Sequence, residues 1–169
     1  MQSYFIDSSS HAHVPSAETI VPNIRKLMNT FLAAAQPVVM TRHINTLENA
    51  GMMGCWWRDL LTDDNPLSQL TPELSTHDCH IVEKPQYDAF YNTELEQLLS
   101  DVDQIVVTGL MTHLCAETTA RSAFMRGFEV FLTADGTATY NLDLHRASLL
   151  NLSHGFAHII RCRDAEVLL

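Results

Sequence analysis

Short runs of apolar and β-branched residues recur along the chain, and most are followed by a segment of a different periodicity. The runs lie at 37–41, 80–82, 104–108, 129–133 and 158–161. Such runs are typical of buried strands in a parallel sheet. Their starts are 43, 24, 25 and 29 residues apart. The last three intervals leave room for a helix between consecutive strands, as a parallel crossover requires.

The segments between these runs have the 3.6-residue period of amphipathic helices. A first helix is predicted by one shared apolar face: Ile24, Leu27, Met28, Phe31 and Ala35. Pro22 fits the first turn of that helix. Further helices are predicted at 95–99, at about 115–126 before Gly127, and at 145–153 before Gly155. Strands that alternate with helices predict an α/β layer fold with a mainly parallel sheet.

Residues 42–79 depart from this alternation. They have little periodicity and contain two glycines, two tryptophans and two prolines. In a compact domain a connection of this length often covers a site. Two interpretations stay open: the segment covers a substrate, or it is a surface excursion whose Trp56 and Trp57 pack on the core or on a second subunit.

Composition and charge exclude several classes of protein. The chain has 169 residues, 46% of them hydrophobic, so we expect a single domain over residues 1–169. Ten Lys and Arg against 20 Asp and Glu give a formal charge of −10 without a basic cluster, so no nucleic-acid partner is expected. The sequence contains no run of about 18 apolar residues, so it predicts no membrane span. It also shows no secretory leader, and we expect a cytoplasmic protein.

Four cysteines, at positions 55, 79, 115 and 162, form no C-x-x-C pair, so reduced thiols are the simplest interpretation. Cys115 follows the predicted strand 104–108 by one short loop and opens a predicted helix. Ligands in open α/β sheets bind at the carboxyl ends of strands. A helix N-terminus there favours a thiolate and offers N–H groups to an oxyanion. From its position, Cys115 is either a nucleophile or a small buried hydrophobe.

Lys84 comes just past the predicted strand 80–82, so it too lies at a carboxyl edge of the sheet. A cation there favours the thiolate form of a neighbouring cysteine and stabilises an anionic transition state. The alternative is a solvated loop lysine that pairs with Glu83.

Histidines occur in two groups, and neither has the spacing of a closed zinc site. The groups are His11 with His13, and His77 with Cys79 and His80. We therefore predict no metal and no cofactor. His113 stands two residues before Cys115. Since side chains on a tight turn diverge, we expect His113 to be structural or to face the substrate rather than to pair with the thiol.

Three stretches of the chain are similar to motifs of one family. They are residues 108–127 (TGLMTHLCAETTARSAFMRG), 83–90 (EKPQYDAF) and 1–5 (MQSYF). They resemble the nucleophile segment, the lysine segment and the stretch after the first strand of isochorismatase-like cysteine hydrolases. The similarity continues through 135–139 and 166–168, so it covers nearly the whole chain. The family includes isochorismatases, nicotinamidases and N-carbamoylsarcosine amidohydrolases.

This resemblance implies a three-layer Rossmann-like fold, with helices on both faces of the sheet, that carries an Asp–Lys–Cys triad. The cysteine of the triad falls on Cys115 and the lysine on Lys84. The resemblance also implies a cis peptide between Leu110 and Met111 in the nucleophile loop. The amides of Met111 and Cys115 are then the candidate oxyanion donors.

We name Tyr4, Trp57 and His113 as candidate substrate-binding residues for a small-molecule substrate. Members of the family are commonly oligomeric, so a homo-oligomer is expected. An irregular aromatic segment such as the one around Trp56 is a plausible interface.

The triad's aspartate precedes the Met-Gln pair in the family, at the end of the first strand. Met1 stands at that place here, so we expect the strand and the aspartate to be missing from residues 1–169. Asp7 is a poor substitute by position. Because the strand is central in the family's sheet, its loss should leave two unpaired strand edges. We therefore expect very low hydrolase activity.

The motifs leave the reaction open. Metal-dependent nicotinamidases usually carry an Asp and His cluster after the second strand, where this chain has residues 42–45 (RHIN). Residues 111–120 are closer to isochorismatases, but several of those replace the cysteine, since vinyl-ether hydrolysis needs an acid and no thiol. Cys115 favours nucleophilic hydrolysis of a small amide. The alternatives are a vinyl-ether hydrolase and a non-catalytic oligomeric or binding homologue.

Overall fold

Five parallel β-strands form the centre of the computed structural model, which describes residues 1–74 and 79–169. The strands are β1 (Val39–His43), β2 (His80–Lys84), β3 (Gln104–Leu110), β4 (Glu129–Ala138) and β5 (His158–Ile160). β1 pairs with β2, β3 with β4, and β4 with β5, in each case in parallel. The predicted α/β class and the parallel pairing are therefore confirmed.

The helices lie between these strands. They are α1 (Ala17–Ala33), α2 (Met53–Trp56), α3 (Leu95–Leu98), α4 (Glu117–Met125) and α5 (Leu142–Gly155). Three 3₁₀ turns occupy Ser3–Phe5, Pro66–Ser68 and Cys162–Leu168, and a π-helical turn occupies Thr112–Ala116. Within the described part of the chain, no helix is long and apolar enough to span a bilayer.

Helices cover both faces of the sheet, as the alternation of side chains along β3 shows. Ile105 and Val107 pack against the cluster that contains residues of α3, α4 and α5. Val106, between them, packs with Leu27 of α1 and Ala165 of the last 3₁₀ turn. Successive side chains of a strand point to opposite faces. Therefore α1 and the C-terminal turn lie on one face, and α3, α4 and α5 lie on the opposite face.

The strands form two separate sheets among residues 1–74 and 79–169, with the orders β1-β2 and β3-β4-β5. Strands β1 and β3 both line a cavity of about 270 Å³. Apolar side chains from both strands and from α1 border it: Leu27, Phe31, Val39, Met40, Val106 and Val107. Lys84 and Cys115 also line this cavity, so the two candidate catalytic residues come from different sheets.

Two details of the sequence prediction are wrong. Helix α1 begins at Ala17, so Pro22 lies inside it rather than in its first turn. The reason is that Ala17 and Ile20 continue the buried face upstream, and this packing outweighs one lost backbone hydrogen bond. The first strand was placed at 37–41, whereas β1 is Val39–His43, since its register is set by pairing with all of β2.

Gly136 in β4 gives a direct test of this packing. A Cβ at Gly136 would clash with Thr133 Oγ1 and lie 2.6 Å from Cys162 Sγ. We expect Gly136→Ala to lower the free energy of unfolding by about 1–3 kcal/mol, the usual cost of overpacking. Urea denaturation followed by circular dichroism measures it. The control is Gly155→Ala, since a Cβ there meets nothing within 4 Å; an equal loss in both variants would contradict the clash.

Candidate active site

Cys115 lies in a wide turn that joins β3 to α4. The peptide bond between Leu110, the last residue of β3, and Met111 is cis, as the family resemblance implied. The π-helical turn Thr112–Ala116 follows, and α4 begins at Glu117. Cys115 was predicted to open the helix; it lies instead within the π turn, two residues before α4, because the chain must first reverse from the strand.

Side chains of α5 hold the turn Thr112–Ala116 in place. The hydroxyl of Thr112, which is fully buried, shares a hydrogen bond of 2.9 Å with His145 Nδ1. Ser148 lies on the same helix, and its hydroxyl is within 3.2 Å of the Thr112 carbonyl and within 2.5 Å of Glu117 Oε2. The carbonyl of Met111 accepts from two amides further along the turn. These bonds fix the backbone that carries Cys115.

Lys84, at the end of β2, is 4% exposed. Its Nζ donates to the carbonyls of Gln86 at 2.7 Å and Tyr87 at 3.1 Å. It lies 3.4 Å from Cys115 Sγ, which is within hydrogen-bond distance for sulfur. The alternative of a solvated lysine paired with Glu83 is wrong, since Glu83 binds Arg42 at 2.7 Å on the surface.

The positive charge of Lys84 contributes to the lowered pKa of two neighbouring groups. Burial and, next, the Lys84 ammonium lower the pKa of His43 to about 4, so this imidazole is neutral near pH 7. The same two causes lower the pKa of the Met1 amino group to about 6. None of the ion pairs found among the described residues joins Lys84 to a carboxylate. The site therefore holds a buried cation that contacts the carbonyls of Gln86 and Tyr87 and the thiol of Cys115.

An aromatic wall, formed by Trp57 and Tyr87, borders the loop that holds Lys84. Trp57 Nε1 donates to the hydroxyl of Tyr87 at 2.7 Å. Burial raises the pKa of Tyr87, whereas the hydrogen bond from Trp57 lowers it. The carbonyl of the same residue accepts from Lys84 Nζ, which lies beside the Cys115 sulfur. Trp56, by contrast, is 74% exposed and does not belong to this wall.

His113 and Tyr4, the other two predicted substrate contacts, bond to side chains other than those of Lys84 and Cys115. His113 Nδ1 is 2.7 Å from Thr139 Oγ1, and its ring lies 6.5 Å from that of Tyr140. Its side chain thus bonds away from the thiol, as expected. Tyr4 is buried, and its hydroxyl is 3.2 Å from His11 Nε2.

Sequence reasoning missed Tyr87 and Tyr140. Both follow the carboxyl end of a strand, Tyr87 after β2 and Tyr140 after β4. That position was the available signal, because side chains at this edge of a parallel sheet face the ligand.

No group of three or more His, Cys, Asp or Glu side chains is arranged to hold a metal ion within residues 1–74 and 79–169. Of the two histidine groups weighed above, the second includes His77, which lies outside the described residues.

The environments of two cysteines predict different reactivities. Burial, and next the Asp135 carboxylate, raises the pKa of the Cys162 thiol to about 12. Roughly one molecule in 10⁴ then carries this thiolate at pH 8. We expect iodoacetamide at pH 8 to modify the partly exposed Cys115 and to spare Cys162 until the protein is unfolded in urea. Peptide-resolved mass spectrometry measures both; equal labelling in the folded protein would refute this prediction.

Comparisons with known proteins bear on the family and the fold of the chain. The sequence model of the family described as Isochorismatase domain matches residues 1–164. Nicotinamidase 3 of Arabidopsis thaliana is 38% identical over 164 residues, which cover 93% of this chain and 82% of that protein. Isochorismatase of Bacillus subtilis (strain 168) is 29% identical over 154 residues, or 88% of this chain and 49% of that protein. The chain thus spans about half the length of the second relative.

Solved structures show the same fold. A cysteine hydrolase from Pseudomonas syringae pv. phaseolicola 1448A superposes with a TM-score of 0.95 at 28% identity, covering 99% of this chain and 87% of that one. Since the family model spans nearly the whole sequence and these relatives share its fold, the chain belongs to the isochorismatase domain family of hydrolases.

Proposed function

We propose that this chain is the core of a cysteine hydrolase that cleaves the C–N bond of a small amide, with Cys115 as nucleophile. The observation that carries the proposal is the buried Lys84 ammonium, 3.4 Å from the Cys115 sulfur. A cation at this distance favours the thiolate, which is the nucleophilic form of cysteine. It also favours the negative charge that develops on the carbonyl oxygen during attack.

The proposed reaction has two stages. The Cys115 sulfur forms a bond to the amide carbonyl carbon, and the carbonyl electron pair moves to its oxygen. The amides of Met111 and Cys115, in the turn that follows Leu110, are proposed to donate to this oxyanion; each such donor contributes about 3 kcal/mol. The C–N bond then breaks, the amine leaves with the thiol proton, and water hydrolyses the thioester to the carboxylic acid and the free thiol.

The thiol proton needs an acceptor. The family resemblance assigns this role to an aspartate at the end of a strand that precedes Met1. The apolar cavity between β1 and β3, which Lys84 and Cys115 also line, supports this assignment, because a strand there would carry its last residue to the thiol. We propose that residues 1–169 alone have very low activity for this reason.

The name of the Arabidopsis relative, Nicotinamidase 3, suggests nicotinamide as a first substrate. A planar aromatic amide suits a site bordered by aromatic residues: Trp57 bonds to Tyr87, whose carbonyl holds Lys84, and Tyr140 follows β4. We propose that Trp57 and His113 contact the substrate directly and that Tyr4 borders it from the N-terminal turn.

Ammonia release from nicotinamide tests the nucleophile. We expect the chain extended before Met1 by a short apolar strand ending in aspartate to exceed the unextended chain at least tenfold. In the extended chain, Cys115→Ala should abolish turnover because no thiolate remains. Lys84→Met should lower kcat/KM by about 10²-fold or more, since the oxyanion loses a positive charge.

The matched control is Cys55→Ala, which removes an exposed cysteine that is not part of the Lys84–Cys115 pair. It should leave ammonia release unchanged. Full turnover by Cys115→Ala would remove the nucleophile assignment. An extension ending in asparagine should fail to activate; if it activates equally, the carboxylate is not the proton acceptor.

A second candidate function is vinyl-ether hydrolysis, favoured by the similarity to Isochorismatase of Bacillus subtilis. This reaction needs a proton donor but no thiol. Release of pyruvate from isochorismate by the extended chain, retained in its Cys115→Ala variant, would favour it over amide hydrolysis. Loss of both activities with intact folding would favour a non-catalytic homologue.

We also propose a cytoplasmic homo-oligomer. The proposed location is supported by the free thiols of Cys55, Cys115 and Cys162, which suit a reducing compartment. Large apolar side chains are exposed on the irregular segment, including Leu47, Met52 and Trp56, which suits a subunit contact. Light scattering coupled to size exclusion tests the oligomer, and a clean monomer would refute it.

A further inference from the structure

The position of the Lys84 ammonium depends on the loop that follows β2, residues 85–87. Two of its carbonyls, those of Gln86 and Tyr87, accept from Lys84 Nζ at 2.7 and 3.1 Å. A buried ammonium lies where its protons are accepted, since an unmade hydrogen bond to a charged group is costly there. A displacement of this loop would therefore move Lys84 relative to the Cys115 sulfur.

The loop is bound in turn by the irregular segment 44–57. Trp57 Nε1 donates to the Tyr87 hydroxyl at 2.7 Å. The side-chain amide of Gln86 donates to the carbonyls of Asn49 and Ala50 at 3.3 and 3.0 Å. These contacts lie partly at the surface, where water can replace a lost partner.

Asn45 makes the third contact, and it differs from the other two. Its Nδ2 donates to the Pro85 carbonyl at 2.8 Å, and its residue is only 2% exposed. Its own backbone N–H donates at 2.7 Å to the carbonyl of Leu61, which lies beyond the segment and anchors Asn45 from outside it. Because this amide is withdrawn from solvent, water cannot readily take its place if it is removed.

We propose that Asn45 is a positioning residue: by holding the Pro85 carbonyl, it fixes the loop whose carbonyls hold the Lys84 ammonium beside Cys115. The inference rests on the proposed function, since it presupposes that Lys84 acts on the Cys115 thiol. Asn45 itself touches no reacting atom. Asn45 acts by setting the distance between the Lys84 ammonium and the Cys115 sulfur, because their electrostatic interaction depends on that distance.

The pH dependence of Cys115 alkylation measures this coupling without any substrate. Peptide-resolved mass spectrometry of the full chain gives the iodoacetamide rate at Cys115 between pH 6 and 10. Lys84→Met should move the midpoint of that profile to higher pH. Asn45→Leu has a similar volume but no donor, and should move it in the same direction by less, with the rate at pH 7 falling about 3- to 10-fold.

The double variant Asn45→Leu/Lys84→Met separates positioning from a purely structural role. If Asn45 acts through Lys84, its substitution adds no further shift once the lysine is gone. A structural defect would shift the profile equally with and without Lys84. The control is Asn151→Leu, the same substitution at an exposed position of α5, which should leave the midpoint unchanged.

Other titrating groups near the pair do not confuse the comparison. Burial and the Lys84 ammonium lower the pKa of the Met1 amine to about 6. Lys84→Met removes the second cause and raises this pKa, so the effect of Asn45→Leu is read within each lysine background, where the amine is the same. His43, which also contacts the Asn45 side chain, has a pKa of about 4 and stays neutral over the range measured. Burial raises the pKa of Tyr87 above its ordinary value, so this hydroxyl stays mostly protonated over the range measured.

Each outcome decides one point. No shift in Lys84→Met contradicts the proposed function, and the positioning role of Asn45 falls with it. A shift in Lys84→Met with none in Asn45→Leu contradicts the positioning role alone. If labelling of Cys162 shows that Asn45→Leu is unfolded, Asn45→Ser, whose shorter side chain stops short of the Pro85 carbonyl, takes its place with the same expected shift and the same criterion.

Discussion

The buried ammonium of Lys84 is the group around which the site is organised. A charge removed from water is stable only where its protons are accepted and its field is used. Here the acceptors are two carbonyls of one loop, and the thiol of Cys115 lies beside them. Residues 44–57 have little regular structure, yet they bind that loop at three consecutive residues. The irregular segment is therefore a support of the site as well as part of the surface.

The two central residues of the site come from different sheets. Lys84 ends β2, in the two-stranded sheet, whereas Cys115 follows β3, in the three-stranded one. Their separation consequently depends on how the two sheets pack across the apolar cavity between β1 and β3. The side-chain amide of Gln2 fixes the N-terminal residues to the first of these sheets, because it pairs with both backbone groups of His43 and with the Ser68 carbonyl. A group that fills the cavity would therefore change the distance between Lys84 and Cys115, which both line it.

Much of the fold could be predicted from local pattern. The starts of β2, β3, β4 and β5 follow from runs of β-branched residues, because a strand buried on both faces needs such a run. The predicted limits failed where long-range contacts decide them. Helix α1 extends upstream of Pro22 because Ala17 and Ile20 find a buried surface, and no local signal reveals that surface.

The sequence by itself determined the class of fold, the carboxyl-edge positions of Cys115 and Lys84, and the family. Strand order and helix period are short-range properties, and the motifs lie on contiguous residues. Only the tertiary structure decided that Lys84 is buried rather than paired with Glu83, and that Tyr87, Trp57 and Asn45 belong to its surroundings. The bonds that join Asn45 to Pro85, Trp57 to Tyr87 and Lys84 to Cys115 span 40, 30 and 31 positions of the chain. Hydrogen bonds over such separations depend on how the elements pack rather than on any local pattern.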